Sequence, residues 1–413
     1  MRFLHLADLH FGKSIHGVSL LENGDQDYWV DRLLVLVDEC RPDALLIAGD
    51  VYDRSAPSGE AVQLLSRMLT AMAERKIPVL MTAGNHDSAQ RLSFASPLLA
   101  RQGVYISRPL YESPALASFT LSDEYGPVTF WLMPYVFPAL IAQAIGEECP
   151  RDFDGAVRAL LARQNVDFSQ RNVLIAHQNV TASGREGLRG GSESMVGGVG
   201  QIDYSAFDGF DYVALGHIHA AYPIGRDSVR YAGSPLCYHF DETRQPAKGP
   251  VLVELGEKGA SVQTETLLLP PLHPMRELIG SYEQLRDEAL SDTRRGEYLR
   301  VVLTDQRVTQ ESAAFFRSLF ASRDSVLMEI ASDYRPYRDL ETLSRQDGRE
   351  KSLEALFSEF YAERLGGAAP EEGESELLSF ASELVRRKGD STGRNAGDAE
   401  QLLAFLLAQE EKA

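Results

Sequence analysis

Strands and helices alternate regularly over the first hundred residues, and this order limits the folds that are open to the chain. The apolar runs FLHLAD (3–8), ALLIAGD (44–50) and PVLMTAGNHD (78–87) are typical of strands, and helical patterns separate them at residues 28–40 and about 60–75. Helical crossovers produce parallel strand pairs, whose sheets are covered on both faces. The pattern therefore predicts an α/β fold.

Further apolar runs predict a second set of strands, with fewer helices between them. They are VTFWLMPY (128–135), NVLIAHQNV (172–180), YVALGHIH (212–219), VRYAGSP (229–235) and GPVLVELG (249–256). Together with the first set, this spacing is typical of a layered α/β sandwich.

Side chains that can bind metals follow five of these strands, at the point where each strand ends. They are Asp8 with His10, Asp50, Asn85, His177, and His217 with His219. In open α/β sheets, ligands bind at the carboxyl ends of the strands. We therefore expect these residues to meet at one rim. His217 and His219 should point to the same side if their segment is extended.

Two aspartates, one asparagine and four histidines are more ligands than one ion needs if a position is to stay open for chemistry. Two ions that share a carboxylate would use the whole set, and Asp50 is the natural bridging residue. The mixture of nitrogen and oxygen ligands favours Mn²⁺, with Mg²⁺, Fe²⁺ or Zn²⁺ as alternatives. Two such ions about 3.5–4 Å apart promote in-line displacement at phosphorus.

His86 follows Asn85 directly and would point to the opposite side of an extended chain. It would then be free of the metals and able to donate a proton to a leaving oxygen. Asp87 could orient its imidazole. The alternative is that His86 is an additional metal ligand or only supports one.

Five short motifs follow one another along the chain. They are DLH (8–10), GDVYD (49–53), GNHD (84–87), the single His177 and GHIH (216–219). In this order they resemble the full motif set of the calcineurin-like metallophosphoesterases. The longer stretches ADLHFGKSIHGVSL (7–20) and YAGSPLCYHFDE (231–242) resemble, more narrowly, the SbcD family of bacterial nuclease subunits.

The resemblance implies a role for each matching residue. One ion would be held by Asp8, His10, Asp50 and His219, and the other by Asp50, Asn85, His177 and His217, with His86 as the catalytic acid. Two positions depart from the family pattern, because Asp53 stands where some relatives have a histidine and Leu9 replaces the usual tryptophan. Asp53 leaves open which group interacts with the leaving oxygen of the phosphate, whereas Leu9 concerns packing.

The resemblance also implies an activity and partners. The chain would be the nuclease half of a DNA-repair complex, with Mn²⁺-dependent 3′–5′ exonuclease action on duplex ends and endonuclease action on single strands and hairpins. It would form a homodimer and, with an SbcC-type SMC-like ATPase, a heterotetramer. The ATP site would belong to that partner. This chain has no GxxxxGK[ST] motif, and its glycine-rich loop at 184–200 does not contain one.

A proline-marked segment, LLLPPLHPMRELIG (267–280), predicts a domain boundary. Residues 1–275 would form the nuclease domain, and residues 276–345 a small α+β capping domain. Residues 346–413 carry apolar stripes at helical spacing between glycine-rich breaks. The resemblance implies that these C-terminal helices dock on the ATPase. The alternative is that they pack on the body of the protein.

The net charge of −19 argues against a protein that coats nucleic acid through its own charge. DNA binding would then need support from dimerisation and from the ATPase. No apolar run reaches about 18 residues and the N-terminus has no signal-peptide pattern, so we expect a cytoplasmic protein without membrane contact. The three cysteines form no CxxC pair, which predicts packing rather than a zinc site.

Two other functions stay open at this point. The same metals could serve a phosphatase for phosphoproteins or small phosphate esters, although residues 275–413 would then have no evident use. The chain could instead be a DNA-end-binding scaffold with structural or idle metals. The complete ligand set, together with His86, argues against a scaffold.

Overall fold

The computed structural model describes residues 1–146, 149–182, 200–245 and 248–334. The C-terminal helices predicted over 346–413 lie outside the described residues, as do residues 184–199 of the glycine-rich loop and residues 335–345.

The strands, in chain order, are β1 Arg2–Leu6, β2 Ser14–Ile15, β3 Val18–Ser19, β4 Ala44–Ala48, β5 Val79–Thr82, β6 Val104–Ile106, β7 Ala117–Asp123, β8 Gly126–Met133, β9 Arg171–His177, β10 Val180–Thr181, β11 Ile202–Asp203, β12 Tyr212–Gly216, β13 Tyr222–Ile224, β14 Arg226–Tyr231, β15 Val251–Glu254, β16 Gln263–Thr266, β17 Met275–Gly280, β18 Tyr298–Leu303 and β19 Val326–Ser332. The α-helices are α1 Asp25–Cys40, α2 Gly59–Glu74, α3 Ala89–Leu92, α4 Ser96–Leu99, α5 Pro138–Ile145, α6 Phe153–Ala162, α7 Tyr282–Ser291 and α8 Gln310–Ala321. Short 3-10 helices span Ala100–Gln102, Tyr204–Phe207 and Phe240–Arg244.

The first sheet has six strands in the order β16-β15-β1-β4-β5-β6. Strands β1, β4, β5 and β6 pair in parallel, as the crossover helices α1 and α2 require. Successive residues of β1 point to opposite faces. Leu4 therefore shares a core with Trp29 of α1 and Met68 of α2, whereas Phe3 faces the second sheet.

The second sheet has the order β13-β14-β12-β9-β8-β7. Its inner face and the first sheet share a core that contains Leu46, Phe130 and Ile175. Helices α5 and α6 cover its outer face through Ile141 and Leu160. The layers are thus helix, sheet, sheet and helix, which confirms the predicted layered α/β sandwich.

A smaller sheet of three parallel strands follows, in the order β17-β18-β19. Helices α7 and α8 pack on it in a separate core around Phe316 and Phe320. The side chains of Ser281 and Thr309 accept backbone N–H groups at the starts of these two helices, which is the usual N-cap arrangement. The sequence predicts strands at YLRVVLTD (298–305) and SVLMEIASDY (325–334) and a helix from residue 309 to about 321, and β18, β19 and α8 lie there.

The three cysteines are free thiols in the structure, in agreement with the absence of a CxxC pair. Among the described residues, no helix is both long enough and apolar enough to cross a membrane.

Tyr298 joins the small sheet to the body of the protein. Its hydroxyl donates to Asp25 Oδ2 at 2.6 Å and accepts from Asn23 Nδ2 at 3.1 Å. The other oxygen of Asp25 lies 3.0 Å from Nδ1 of His273. Asp25 is buried, so it depends on these partners.

We expect Tyr298→Phe to lower the free energy of unfolding by about 1–3 kcal/mol, because a buried carboxylate loses a donor. Urea unfolding followed by circular dichroism measures this change. Tyr125→Phe, at an exposed tyrosine, is the control and should leave the midpoint unchanged. Equal midpoints for both variants would show that the contact between Tyr298 and Asp25 contributes no net stability.

Candidate metal centre

Strand ends from both sheets meet at one rim of the sandwich. The residues that they carry are Asp8 and His10 after β1, Asp50 after β4, Asn85 after β5, His177 at the end of β9, and His217 and His219 after β12. Strands β1, β4 and β5 run parallel in the first sheet, and β9 and β12 run parallel in the second. Their carboxyl ends can therefore lie together.

The backbone at this rim is unusual. The described part of the chain has nine non-glycine residues with positive φ. Four of them are predicted ligands, namely Asp8 at 53°, His10 at 44°, Asp50 at 48° and His217 at 102°. Such angles cost energy for residues other than glycine, and they concentrate at functional sites.

The left-handed backbone of His217 has a direct consequence for the GHIH motif. The segment is not extended there, so the alternation of an extended chain does not determine where His217 and His219 point. Nδ1 of His217 instead lies 3.1 Å from Oδ1 of Asn85, whereas Nε2 of His219 lies 3.3 Å from Nε2 of His10. The two histidines therefore have different partners within the cluster.

Nε2 of His177 faces two oxygen atoms. Its Nδ1 lies 2.8 Å from the carbonyl oxygen of Ala48 and must donate there, because a carbonyl only accepts. In the neutral ring, Nε2 is then the nitrogen without a hydrogen. That atom lies 3.0 Å from Oδ1 of Asn85 and 3.3 Å from Oδ2 of Asp50. Three acceptors thus converge where only a proton or a cation can satisfy them.

A second convergence involves His219 and His10. Nδ1 of His219 lies 2.9 Å from a carboxylate oxygen of Glu242, which only accepts, so Nε2 carries the lone pair of the neutral ring. That nitrogen faces Nε2 of His10 at 3.3 Å, and Oδ2 of Asp50 is 3.6 Å from the same atom of His10. A cation between these atoms would satisfy all of them.

Three groups of side chains bring their ligand atoms within 4.8 Å of one another. They are Asp8 with His10 and His219, Asp8 with Asp50 and His177, and His10 with Asp50 and His86. Each of the two aspartates belongs to two groups. The structure therefore brings the predicted residues into one connected cluster, and its donor set fits divalent metal ions.

Burial and charge shift the pKa values within this cluster. Burial raises the pKa of Asp8 to about 6. Burial opposes the charged form of His177, but the carboxylates of Asp50 and Asp8 outweigh it and raise its pKa to about 9. Burial and the nearby His177 lower the pKa of His217 to about 3. The buried carboxylates thus favour positive charge close to them. A divalent ion carries more positive charge than the single proton on His177.

His86 lies at the edge of the cluster. Its Nδ1 is 2.9 Å from the carbonyl oxygen of Asp53 and must donate there. Its ring centroid is 4.8 Å from that of His10, and His86 forms a metal-ligand group with His10 and Asp50. His86 therefore faces the same space as the predicted ligands rather than the opposite side of an extended chain. Both of its proposed roles, proton donor and additional ligand, fit this position.

Asp87 does not orient His86, contrary to the prediction. Its carboxylate accepts from the backbone N–H groups of Val51 at 3.1 Å, Tyr52 at 2.9 Å and Gly84 at 2.9 Å. Asp87 thereby ties together the loops that follow β4 and β5.

Two residues outside the predicted set also contact the cluster. Glu242 accepts from His219, as described above, and the ring of Tyr238 lies 5.3 Å from that of His10 and 5.5 Å from that of His219. The Tyr238 hydroxyl donates to the carbonyl oxygen of Leu9 at 2.6 Å. Both residues belong to the stretch YAGSPLCYHFDE. Its resemblance to the SbcD family is the signal from which they could have been found.

Two protein families match the sequence. Residues 1–221, more than half of the chain, match the family described as calcineurin-like phosphoesterase, and residues 271–364 match the one described as type 5 capsule protein repressor C-terminal domain. The chain is also 32% identical over 308 residues to the SbcD subunit of the nuclease SbcCD from Staphylococcus saprophyticus, with 73% of this chain and 78% of that protein covered. The chain belongs to the SbcD family of calcineurin-like phosphoesterases.

A second relative has the same name, and a solved structure is distantly similar. The protein of the same name from Staphylococcus epidermidis is 31% identical over 313 residues, which cover 74% of this chain and 79% of that protein. Among solved structures, TT1561 of Thermus thermophilus is similar with a TM-score of 0.35 and 10% identity, over 64% of this chain and 98% of that one. Membership of the SbcD family confirms the resemblance that the sequence motifs indicate, and with it a phosphoesterase enzyme.

Gly84 leaves no room for a side chain beside Asp50. A Cβ atom on Gly84 would lie 2.0 Å from Oδ1 of Asp50 and 2.3 Å from its backbone nitrogen. We expect Gly84→Ala to displace this carboxylate and to lower phosphodiester hydrolysis by about 10²-fold, the effect typical of a 1 Å misplacement. Gly59→Ala is the control, because its Cβ would meet nothing within 4 Å. Equal turnover in the two variants would contradict a role for the position of Asp50.

Proposed function

We propose that this protein is a Mn²⁺-dependent DNA nuclease, the nuclease subunit of an SbcCD-like complex. The observation that carries the proposal is the convergence of nitrogen and oxygen ligand atoms from both sheets on a buried space, where His177, Asn85 and Asp50 meet on one side and His219 and His10 on the other. Membership of a family whose relatives are named as SbcD subunits of the nuclease SbcCD supports it.

The ligands divide into two sets that share Asp50. The proposed sets are Asp8, His10, Asp50 and His219 for one ion, and Asp50, Asn85, His177 and His217 for the other. Bound divalent ions supply the Lewis acidity that activates water for attack at phosphorus and offsets the charge of the phosphate oxygens. Mn²⁺ suits a set that mixes imidazole nitrogen with carboxylate and amide oxygen.

His86 is the proposed catalytic acid. Its Nδ1–H is held by the Asp53 carbonyl, which fixes the ring and leaves Nε2 as the nitrogen that can transfer a proton. In this role His86 protonates the leaving oxygen as the bond between phosphorus and oxygen breaks. Asp53 itself is held by Lys13, whose Nζ donates to Oδ1 at 2.7 Å. The backbone carbonyl of Asp53 therefore orients the imidazole that would protonate the leaving oxygen.

DNA is the proposed substrate, with exonuclease action in the 3′–5′ direction on duplex ends and endonuclease action on single strands and hairpins. The proposed partner is an SbcC-type SMC-like ATPase, which would bind the segment 346–413 and supply the ATP site. A homodimer of this chain with two ATPase subunits would form a heterotetramer. The net charge of −19 fits poorly with DNA binding by this chain alone, so dimerisation and the ATPase would have to supply much of the hold on DNA. A cytoplasmic location is part of this proposal.

Nucleotide release from end-labelled linear duplex DNA tests this proposal. The assay compares Mn²⁺ with EDTA, with and without the partner ATPase, and includes a small aryl phosphodiester as a second substrate. We expect Mn²⁺-dependent release from DNA. Hydrolysis of the aryl ester with intact DNA would overturn the DNA assignment. A metal-loaded protein that turns over neither substrate would indicate a scaffold.

A further inference from the structure

Glu242 is a buried carboxylate next to the metal centre, and nothing in the proposed reaction uses it. It lies in the short helix Phe240–Arg244 and is only 1% exposed. A carboxylate in such a place has lost its water and needs partners for both oxygens. These partners show what Glu242 does.

The first oxygen of Glu242 serves His219. Oε1 lies 2.9 Å from Nδ1 of the imidazole, and an ionised carboxylate can only accept, so Nδ1 carries the hydrogen. The hydrogen bond therefore fixes both the tautomer and the rotation of the ring. With Nδ1 used in this way, the lone pair of Nε2 points at Nε2 of His10, 3.3 Å away.

The second oxygen of Glu242 is held from its other side. Nζ of Lys248 lies 2.8 Å from Oε2, and the backbone N–H of Tyr238 donates to the same oxygen at 3.2 Å. Lys248 also donates to the backbone carbonyl of His219 at 2.8 Å and to Oγ of Ser234 at 2.7 Å. The pair Glu242–Lys248 thus holds the ring and the backbone of His219 at once.

The charges of this arrangement also favour a metal. Lys248 neutralises part of the charge of Glu242, while the hydrogen bond from Nδ1 lets the carboxylate increase the electron density of the imidazole. Carboxylates that accept from ligating histidines act in this way in metal sites generally, and their loss typically lowers metal affinity about 10–100-fold.

We propose that Glu242 is a positioning residue that holds the His219 imidazole so that its Nε2 can ligate a metal ion. This inference rests on the proposed function, because it takes His219 as a ligand of one of the two ions. It predicts that loss of Glu242 weakens one ion site and spares the other, which Asn85, His177 and His217 would complete.

Mn²⁺ titration followed by electron paramagnetic resonance of the free ion tests the proposal on the full chain. We expect the wild type to bind two ions. Glu242→Ala should weaken the binding of Mn²⁺ at one site about 10–100-fold and leave the other site unchanged. The Mn²⁺ affinity of Glu242→Gln at the weakened site should lie between those of the wild type and Glu242→Ala, since an amide oxygen still accepts a hydrogen bond but carries no charge. The Gln variant keeps the size of the side chain if the Ala variant does not fold.

Asp123→Asn is the matched control. Asp123 is also a carboxylate paired with a buried cation, Arg171, and its partners lie away from the predicted ligands. The Glu242 variants and Asp123→Asn should all have a lower melting temperature than the wild type in EDTA. Only the Glu242 variants should have a changed Mn²⁺ affinity. Two unchanged Mn²⁺ sites in both Glu242 variants would overturn the positioning role while leaving the proposed function intact. A wild type that binds no Mn²⁺ would overturn both.

Discussion

Replacing Asp50 by asparagine is expected to reduce nucleotide release by about 10³-fold or more, which corresponds to about 4 kcal/mol of transition-state stabilisation. Asp50 is the residue that both proposed ion sites share, because Oδ2 lies 3.3 Å from Nε2 of His177 and 3.6 Å from Nε2 of His10. An amide at this position has one oxygen and no charge, so it cannot bridge two ions. Nuclease assays in Mn²⁺, together with the number of ions retained after dialysis, measure the loss.

The fold should survive this substitution. Oδ1 of Asp50 accepts the backbone N–H of His86 at 2.8 Å, and the amide oxygen of asparagine can accept the same hydrogen bond. Asp38→Asn is the control, since Asp38 is paired with Arg75 on the surface, away from the predicted ligands. An Asp50→Asn protein that retains two ions and normal turnover would contradict the shared-ligand assignment.

His86→Ala is expected to lower turnover by about 10²–10⁴-fold, the usual contribution of a positioned proton donor. The variant should nevertheless retain both ions, because the two proposed ligand sets do not include His86. A substrate with a better leaving group, such as an aryl phosphodiester, needs less proton donation and should lose much less activity. Parallel assays of DNA and the aryl ester measure this difference.

The two roles considered for His86 make opposite predictions here. If His86→Ala loses an ion and loses activity equally on both substrates, His86 is a metal ligand and the acid is another group. His273→Ala is a suitable control, because His273 contacts Asp25 rather than the cluster. It should keep both ions and full turnover.

Much of the site could be predicted because ligand chemistry and strand order coincide in the sequence. Aspartate, asparagine and histidine directly follow apolar runs, and the carboxyl ends of parallel strands must share an edge. That reasoning needs no knowledge of loop conformation. It therefore places residues such as Asp8, Asn85 and His177 together correctly.

The assumptions that the structure contradicts all concern loop conformation. They take the chain as extended at GHIH and at GNHD, but His217 has a φ of 102° and His86 faces the cluster. The sequence suggests that Asp87 binds the neighbouring imidazole, yet its carboxylate accepts three backbone N–H groups from turns whose shape no local pattern encodes. Hydrogen bonds of this kind exist only once the loops have folded.

The partner of His219 could not be predicted from local spacing, for a related reason. Glu242 is 23 residues further along the chain, in a short helix after β14. No spacing rule connects it to the GHIH motif, because tertiary packing alone brings them together. The sequence pattern also does not reveal helix α7, since Leu285 and Ala289 are the only residues of its ten that are buried and the apolar stripe is correspondingly weak.

Anomalous diffraction from crystals of the full chain grown with Mn²⁺ tests the central claim most directly. The account predicts two peaks at the carboxyl rim of the two sheets, both within bonding distance of Asp50. One peak should also contact Asp8, His10 and His219, and the other Asn85, His177 and His217. A single peak, or two peaks that do not share Asp50, would contradict it.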